Sequence, residues 1–418
     1  MSYTRSTARS LAVSAAGLGV PRPPRARSRA EARRRALALV QRLGYVQLDS
    51  VNVLARAQDM VLFSRLGPLP PDLLTAPTHS GPPDVVEQWA HEAAAVTPDV
   101  ARLLSAFPRR GSWGSRTRHL QDPTWEDNLA LVMARLASAP ATTLEVADEF
   151  AGADRERRHL FETCALYAFH ARQLVGVGRT AAFQRLLADP RVLWADWSGV
   201  PVPTPEEATL ALTRVALRGL GVARASTVAD WFRLSRGHTA GALERLESLG
   251  EARRVEVSGT RSAASNPWWV STDVDEGATP GPDDRGAPTT PTRRDRVRLL
   301  SPLDHLVAHR PRLEELFGVH YRIGIYTPEE KREFGYYDLL VLVGDEIVGR
   351  IDLRAERSRG ELLVRGFWLE ASHARAPMRT ARAVLPELRR IAVWQELGHV
   401  AVESGARGAG AAALTMAL

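Results

Sequence analysis

From Ser226 to Val257 the chain reads STVADWFRLSRGHTAGALERLESLGEARRVEV, a pattern that few folds accommodate. Ser226 is placed to cap a first helix running through Arg233, and Leu234 and Ser235 make a turn. A second helix then sets Ala242, Leu243, Leu246 and Leu249 on one inward face. After Gly250 the spacing becomes that of strands, over Glu251 to Val257 and again over Trp268 to Ser271. Two helices followed by a hairpin form a helix-turn-helix with a wing.

The same order is expected twice more. Ser28 to Leu43 reads as a helix with Ala36, Val40 and Leu43 on one face, stopped by Gly44. Tyr45 to Asp49 is a strand, Val53 to Leu66 a helix, and Val85 to Val96 a possible hairpin. From Trp125 to Leu193 come a helix to Leu136, one from Thr142, one from Asp154 to Arg172, and a hairpin over Leu174 to Phe183. Beyond Thr272 the chain turns rich in Pro, Gly, Asp and Thr, as a linker does. Short strands follow at Arg322 to Tyr326, Asp338 to Val343, Ile347 to Arg354 and Leu362 to Trp368. Met378 to Leu397 is helical, and the Ala/Gly tail after Val402 is expected to fray. The fold expected is α+β: tandem winged-helix units, then a small β-rich domain and a C-terminal helix. Its divisions are 1–121, 122–202, 203–271, a linker over 272–294, a β-rich domain over 295–372, and 373–418.

At 418 residues the chain exceeds one ordinary core. No apolar run approaches the roughly 20 residues that span a bilayer, and Leu11 to Val20 suits a short amphipathic helix better than a signal peptide. Cys164 is the lone cysteine, which excludes an intrachain disulfide and a thiolate zinc cluster and agrees with a cytoplasmic location. Residues 1–120 carry 17 arginines against 8 acidic groups, while the whole chain has a net charge of only +7. The basic character belongs to that first third and points to a polyanion partner, since arginines that neutralise phosphates release counterions.

No HExxH, paired CxxC or Walker-type GxxxxGK occurs, so metal and nucleotide chemistry lose their usual signatures and no cofactor is expected. What remains is Gln47 and Asp49, two apart on one strand and facing the same way. On a face open to DNA, a carboxylate can activate water and an amide can orient it. The competing reading makes Asp49 or Ser50 a cap for the helix starting near Val53. Arg56 and Arg65 flank this strand as candidate phosphate contacts, and Arg236, starting the second helix of the third unit, is another. Trp89 suits a core position better than a base-stacking platform.

The chain resembles the winged-helix DNA glycosylases of the AlkZ and YcaQ type. It does so through Gln47-Leu48-Asp49, the segment from Val53 to Gly67, Trp89-Ala90-His91-Glu92-Ala93, SPLDHLVAHRPRLEELFGVHYRIGIYTPEEKREFGYY and GRIDLRAER. The resemblance covers nearly the whole chain, and its Asp-ending motif is the YcaQ form. It implies a monofunctional glycosylase acting on alkylated bases and interstrand crosslinks, with Gln47 and Asp49 catalytic and His91 beside the site. The expected partner is damaged double-stranded DNA, bound by a monomer. A winged-helix transcriptional regulator and a catalytically inactive DNA-binding relative are the alternatives. Three positions depart from the family pattern, with Gln58 in place of His, Gly324 in place of an acidic residue, and Leu340 near a usual Pro. None is expected to touch the catalytic pair.

Overall fold

The computed structural model describes residues 1–77, 82–108, 114–194, 197, 199–260, 266–274 and 296–418. The linker expected over 272–294 therefore lies outside the described residues, apart from its first three. Helices and three sheets make an α+β protein. The chain divides into two compact units, one of Met1–Arg35, Asp49–Pro71 and Thr213–Leu418, the other of Ala36–Leu48 and Asp72–Leu212. No described helix is long and apolar enough to cross a membrane.

The first unit contains two sheets. One has the strand order Ser2–Tyr3, Ala252–Val257, Trp268–Ser271, Val222–Arg224, parallel only at its first pair. Helices Ala225–Trp231 and Arg236–Ser248 lead into it. Thr239, Ala242, Leu243 and Leu246 are buried at helical spacing, but Leu249 is 46% exposed because the helix has ended and Leu249 is its C-cap. The expected cap at Ser226 is also displaced, since Arg224 occupies the N-cap position. Its guanidinium pairs with Glu315 at 2.9 Å and lies over the Trp268 ring. The N-terminal helix Arg5–Ala15 is capped by the Thr4 side chain and buries Ala8, Leu11, Ala12, Val13 and Ala15. Gly221, at φ +72°, lets it come close: a Cβ there would lie 2.7 Å from that of Ala15.

The second sheet runs in chain order: Val297–Leu300, Leu339–Val343, Glu346–Glu356, Glu361–Leu369 and His399–Arg407. Its first four strands are antiparallel. The last is parallel to its neighbour, across the helix Pro377–Trp394. The strand expected at Arg322 to Tyr326 is instead a 3₁₀ turn over Gly324–Tyr326, where a Cβ on Gly324 would sit 2.3 Å from the Gly335 carbonyl oxygen. An acidic side chain would have no room there. Leu340 is fully buried on a strand paired on both sides, with Leu300 and Arg350 opposite it, a place where proline would remove a ladder donor.

The tail does not fray. It forms the strand His399–Arg407 and the helix Ala409–Ala417, which buries Ala411, Ala413 and Leu414. Its small residues are what allow this, because a Cβ on Gly410 would come within 2.5 Å of the Phe367 ring. Composition suggested too little apolar area, whereas close approach supplies the contact.

In the second unit the strand order is Val46–Gln47, Ala93–Val96, Val86–Trp89, Val175–Arg179, Arg185–Ala188. The final hairpin thus extends past the expected end at Phe183. Helices Trp125–Ser138, Thr143–Ala151 and Arg155–His170 supply the core residues Val132, Leu136, Val146, Phe161 and Phe169. Thr142 and Glu145 form a capping box. Cys164 belongs to this core, and burial pushes its thiol up to about 12, which leaves it unreactive.

Asp49–Pro71 is anchored by its helix, Ala57–Leu66, whose Met60 and Phe63 share a core with Leu299, Val341, Ile351, Phe367 and Leu388. Arg65, on the same helix, donates two hydrogen bonds to Asp304 at 2.7 and 3.0 Å and one to the Ala16 carbonyl at 2.6 Å. Both side chains of the pair are all but sealed from solvent. Burial opposes the charge on Asp304, but the Arg65 guanidinium and its hydrogen bonds overcome this and hold the carboxyl below its ordinary 3.8.

Removing either partner strands the other charge in the core, so Arg65→Ala and Asp304→Asn should each lose about 3–5 kcal/mol in urea unfolding. The depressed carboxyl stabilises the fold fully above its ordinary value and loses that contribution as pH falls through the lower folded value. The gap between wild type and Asp304→Asn should therefore narrow below about pH 4. A gap that stayed constant on further acidification would show that the pair is not ionic.

Candidate active site

Val46 and Gln47 pair antiparallel with Ala95 and Ala94, and the Leu48 N–H still reaches the Ala93 carbonyl at 2.8 Å. There the strand ends, with Gln47 half-buried and Leu48 buried. Asp49 is not on the strand, as the alternation had suggested. It begins an irregular segment that runs to Arg56. Nor does it cap the following helix, which starts at Ala57 with Arg56 as its N-cap.

Three groups hold Asp49 instead. Its N–H donates to Gln58 Oε1 at 3.1 Å, its Oδ1 accepts the Val51 N–H at 3.2 Å, and the Tyr337 hydroxyl donates to Oδ2 across a long 3.5 Å. The bond to Val51 is a local Asx turn. Gln58 is 2% exposed, on the first turn of Ala57–Leu66, and its Nε2 is buried without a partner. None of the three departures was expected to touch the candidate pair, yet one of them, Gln58, bonds Asp49 directly. Burial, reinforced by the Asp49 charge, pushes the Tyr337 phenol up, so it remains a donor. The Ser301 hydroxyl opposes that rise without reversing it. Spacing gave no route to Tyr337, which lies 288 residues further along the chain. Asp49 itself stays partly exposed, so it is a carboxyl group fixed at its backbone and at Oδ1, held more loosely at Oδ2, yet open to solvent. Such a group can take a proton from water or face a developing cation.

His91 sits at the tip between strands Val86–Trp89 and Ala93–Val96, half-buried, with its ring parallel to that of buried Tyr45 at 6.3 Å. Trp89 stacks on His170 at 4.7 Å, and its carbonyl accepts from Arg172. Arg236 is exposed as the first residue of Arg236–Ser248, and Arg56 is half-buried. Arg65, expected to meet phosphate, is enclosed and bound to Asp304, which commits it to the fold. Among the described residues no group of three or more His, Cys, Asp or Glu side chains could hold a metal ion.

A family model described as DNA glycosylase AlkZ-like matches residues 40–394. Among solved structures the chain is similar to Streptomyces sahachiroi DNA glycosylase AlkZ, at 17% identity and a TM-score of 0.59, over 96% of this chain and 100% of that one. That similarity is one of fold.

If Gln58 fixes the Asp49 backbone, Gln58→Leu should leave the Asp49 N–H without its acceptor and cost about 1–3 kcal/mol locally. Hydrogen exchange in a peptide spanning 46–56 should then quicken by about tenfold or more. Unchanged exchange would show that the amide is protected by something else.

Proposed function

The chain belongs to the AlkZ-like DNA glycosylase family, and we propose that it is a monofunctional enzyme that hydrolyses the N-glycosidic bond of alkylated bases, of the N7-alkylguanine type, and unhooks interstrand crosslinks in duplex DNA. The observation that carries this reading is Asp49. It stands in a Gln-x-Asp motif inside the matched residues, it does not cap the helix Ala57–Leu66, whose N-cap position is Arg56, and its carboxylate is anchored yet accessible. Helix, helix and hairpin follow one another over residues 143–188 and again over 225–271, which supports reading these stretches as winged-helix units.

An N7-alkylated guanine carries positive charge and leaves without a general acid, while the sugar gains oxocarbenium character as in glycoside hydrolysis. Asp49 stabilises that cation and takes the proton of the attacking water, and Gln47 orients the water. Arg56, His91 and Arg236 contact the duplex. No cofactor enters this chemistry, and a monomer suffices for it. A crosslinked base cannot be fully extruded, so the reading calls for recognition in an open site rather than a closed base pocket.

Asp49→Asn should lower single-turnover release of N7-methylguanine by about 100-fold or more while DNA affinity stays near that of wild type, and Gln47→Ala should be severely impaired. Wild-type rates for Asp49→Asn would remove the assignment. Arg56→Ala should weaken binding to damaged and intact duplex alike and flatten the salt dependence of log K by about one unit.

Lys331 is the only lysine in the chain, beside Glu329, Glu330 and Glu333, whereas glycosylases that also cut the backbone attack the sugar with an amine. Water is therefore the nucleophile here, and the product is an intact abasic site. Borohydride added during the reaction should trap no covalent protein–DNA adduct; a denaturation-resistant adduct would overturn the hydrolytic mechanism.

A further inference from the structure

A cleft of about 660 Å³ opens in the unit that carries Asp49, and five of its lining residues are arginines: Arg25, Arg27, Arg29, Arg56 and Arg357. Only two carboxylates, Asp59 and Glu396, line it with them. The side chains of Arg25 and Arg29 are exposed and make no hydrogen bond or ion pair with another described residue. Arg357 is steadied by neutral groups, the Gln395 side-chain oxygen at 3.2 Å and the Leu54 carbonyl at 3.5 Å, so its charge is not cancelled. Ser28, also in the lining, accepts the Glu31 N–H and starts the 15-residue helix Arg29–Leu43, whose positive end adds to the field. The wall opposite is stiff, because Trp394 donates to the Leu69 carbonyl at 3.1 Å and stacks on Phe63 at 4.4 Å.

From these features we propose that the cleft holds consecutive phosphates of the DNA strand that carries the target nucleotide, on one side of the lesion. Such an excess of guanidinium groups over carboxylates around one concavity, with Arg25 and Arg29 among them exposed, fits a polyanion better than a neutral ligand. Its position selects the strand. Asn52 lines the cleft three residues after Asp49, and three residues span at most about 11 Å. Phosphates recur every ~3.4 Å of axis along one strand of B-DNA, so a sugar held at Asp49 brings its neighbouring phosphates within that reach. Pro68, Pro70 and Pro71, with Val393, add apolar surface to the same lining, which suits the sugars of a sugar–phosphate chain. This inference rests on the glycosylase reading for the identity of the strand, while the presence of an anion site does not.

The full chain tests it. Binding to a duplex containing a tetrahydrofuran abasic analogue is measured from 50 to 200 mM salt for wild type, the double variant Arg25→Gln/Arg29→Gln, Arg357→Gln, and Arg382→Gln. The last is an exposed arginine 12 residues before Trp394, about 18 Å away along its helix. The double variant should lose about two units of the salt slope and Arg357→Gln about one, with Arg382→Gln unchanged. Neutral methylphosphonate linkages within two nucleotides of the analogue, on one side of it in its own strand, should weaken wild type and add no further loss in the double variant. Slopes equal to wild type in both cleft variants would overturn the site. Methylphosphonates that weaken all the proteins equally would overturn the strand assignment. Slope changes in a chain that releases no base would keep the anion site and reject the glycosylase reading, whereas base release with unchanged slopes would do the reverse.

Discussion

Arg65 and Asp304 stand 239 residues apart in the chain and meet with both side chains out of water. Neither charge is tolerable there without the other, so the helix Ala57–Leu66, the turn around Asp304 and the end of the N-terminal helix at Ala16 are fixed together. Arg22 braces the same helix from another side. It donates to the Phe63 and Ser64 carbonyls and pairs with Glu387, which is 1% exposed, on the helix Pro377–Trp394. Gln58 begins the helix that these pairs immobilise, and Asp49 hangs from Gln58. The position of the candidate catalytic carboxylate is therefore inherited from buried ion pairs that take no part in any reaction.

The arginines of this chain divide into two kinds. Those inside the fold, such as Arg22, Arg65 and Arg224, satisfy carbonyls and carboxylates and are unavailable to a ligand. Those at Arg25, Arg29 and Arg236 remain in solvent. Net charge counts both kinds alike, which is why the basic bias of the first third of the sequence is a poor guide to which arginines remain available to a ligand. The buried group contributes specificity of packing, and the exposed group contributes field.

The two helices and the strand between Ser226 and Val257 were legible because apolar spacing such as that through Leu246 is local, although the first helix ends at Trp231 rather than Arg233 and the turn falls at Phe232–Arg233. The motif Gln47-Leu48-Asp49 stood out as well, as a pair of residue types suited to hydrolysis. Sequence alone did not reveal that the strand stops at Gln47, that Arg56 is the helix N-cap, or that Gln58 and Tyr337 grip Asp49. The Ala/Gly tail misled for a related reason, since its stability comes from how closely Gly408 and Gly410 let it approach Phe367.

By itself the sequence determined the class of elements and their order, the basic bias of the first third, and the Gln-x-Asp pair. Tertiary structure alone decided which charges are spent inside, with Arg65 buried against Asp304 while Arg25 and Arg29 stay free, and which distant side chains complete the site. Periodicity and capping act over one or two turns of chain, whereas burial of a charge depends on partners hundreds of residues away that no local pattern encodes.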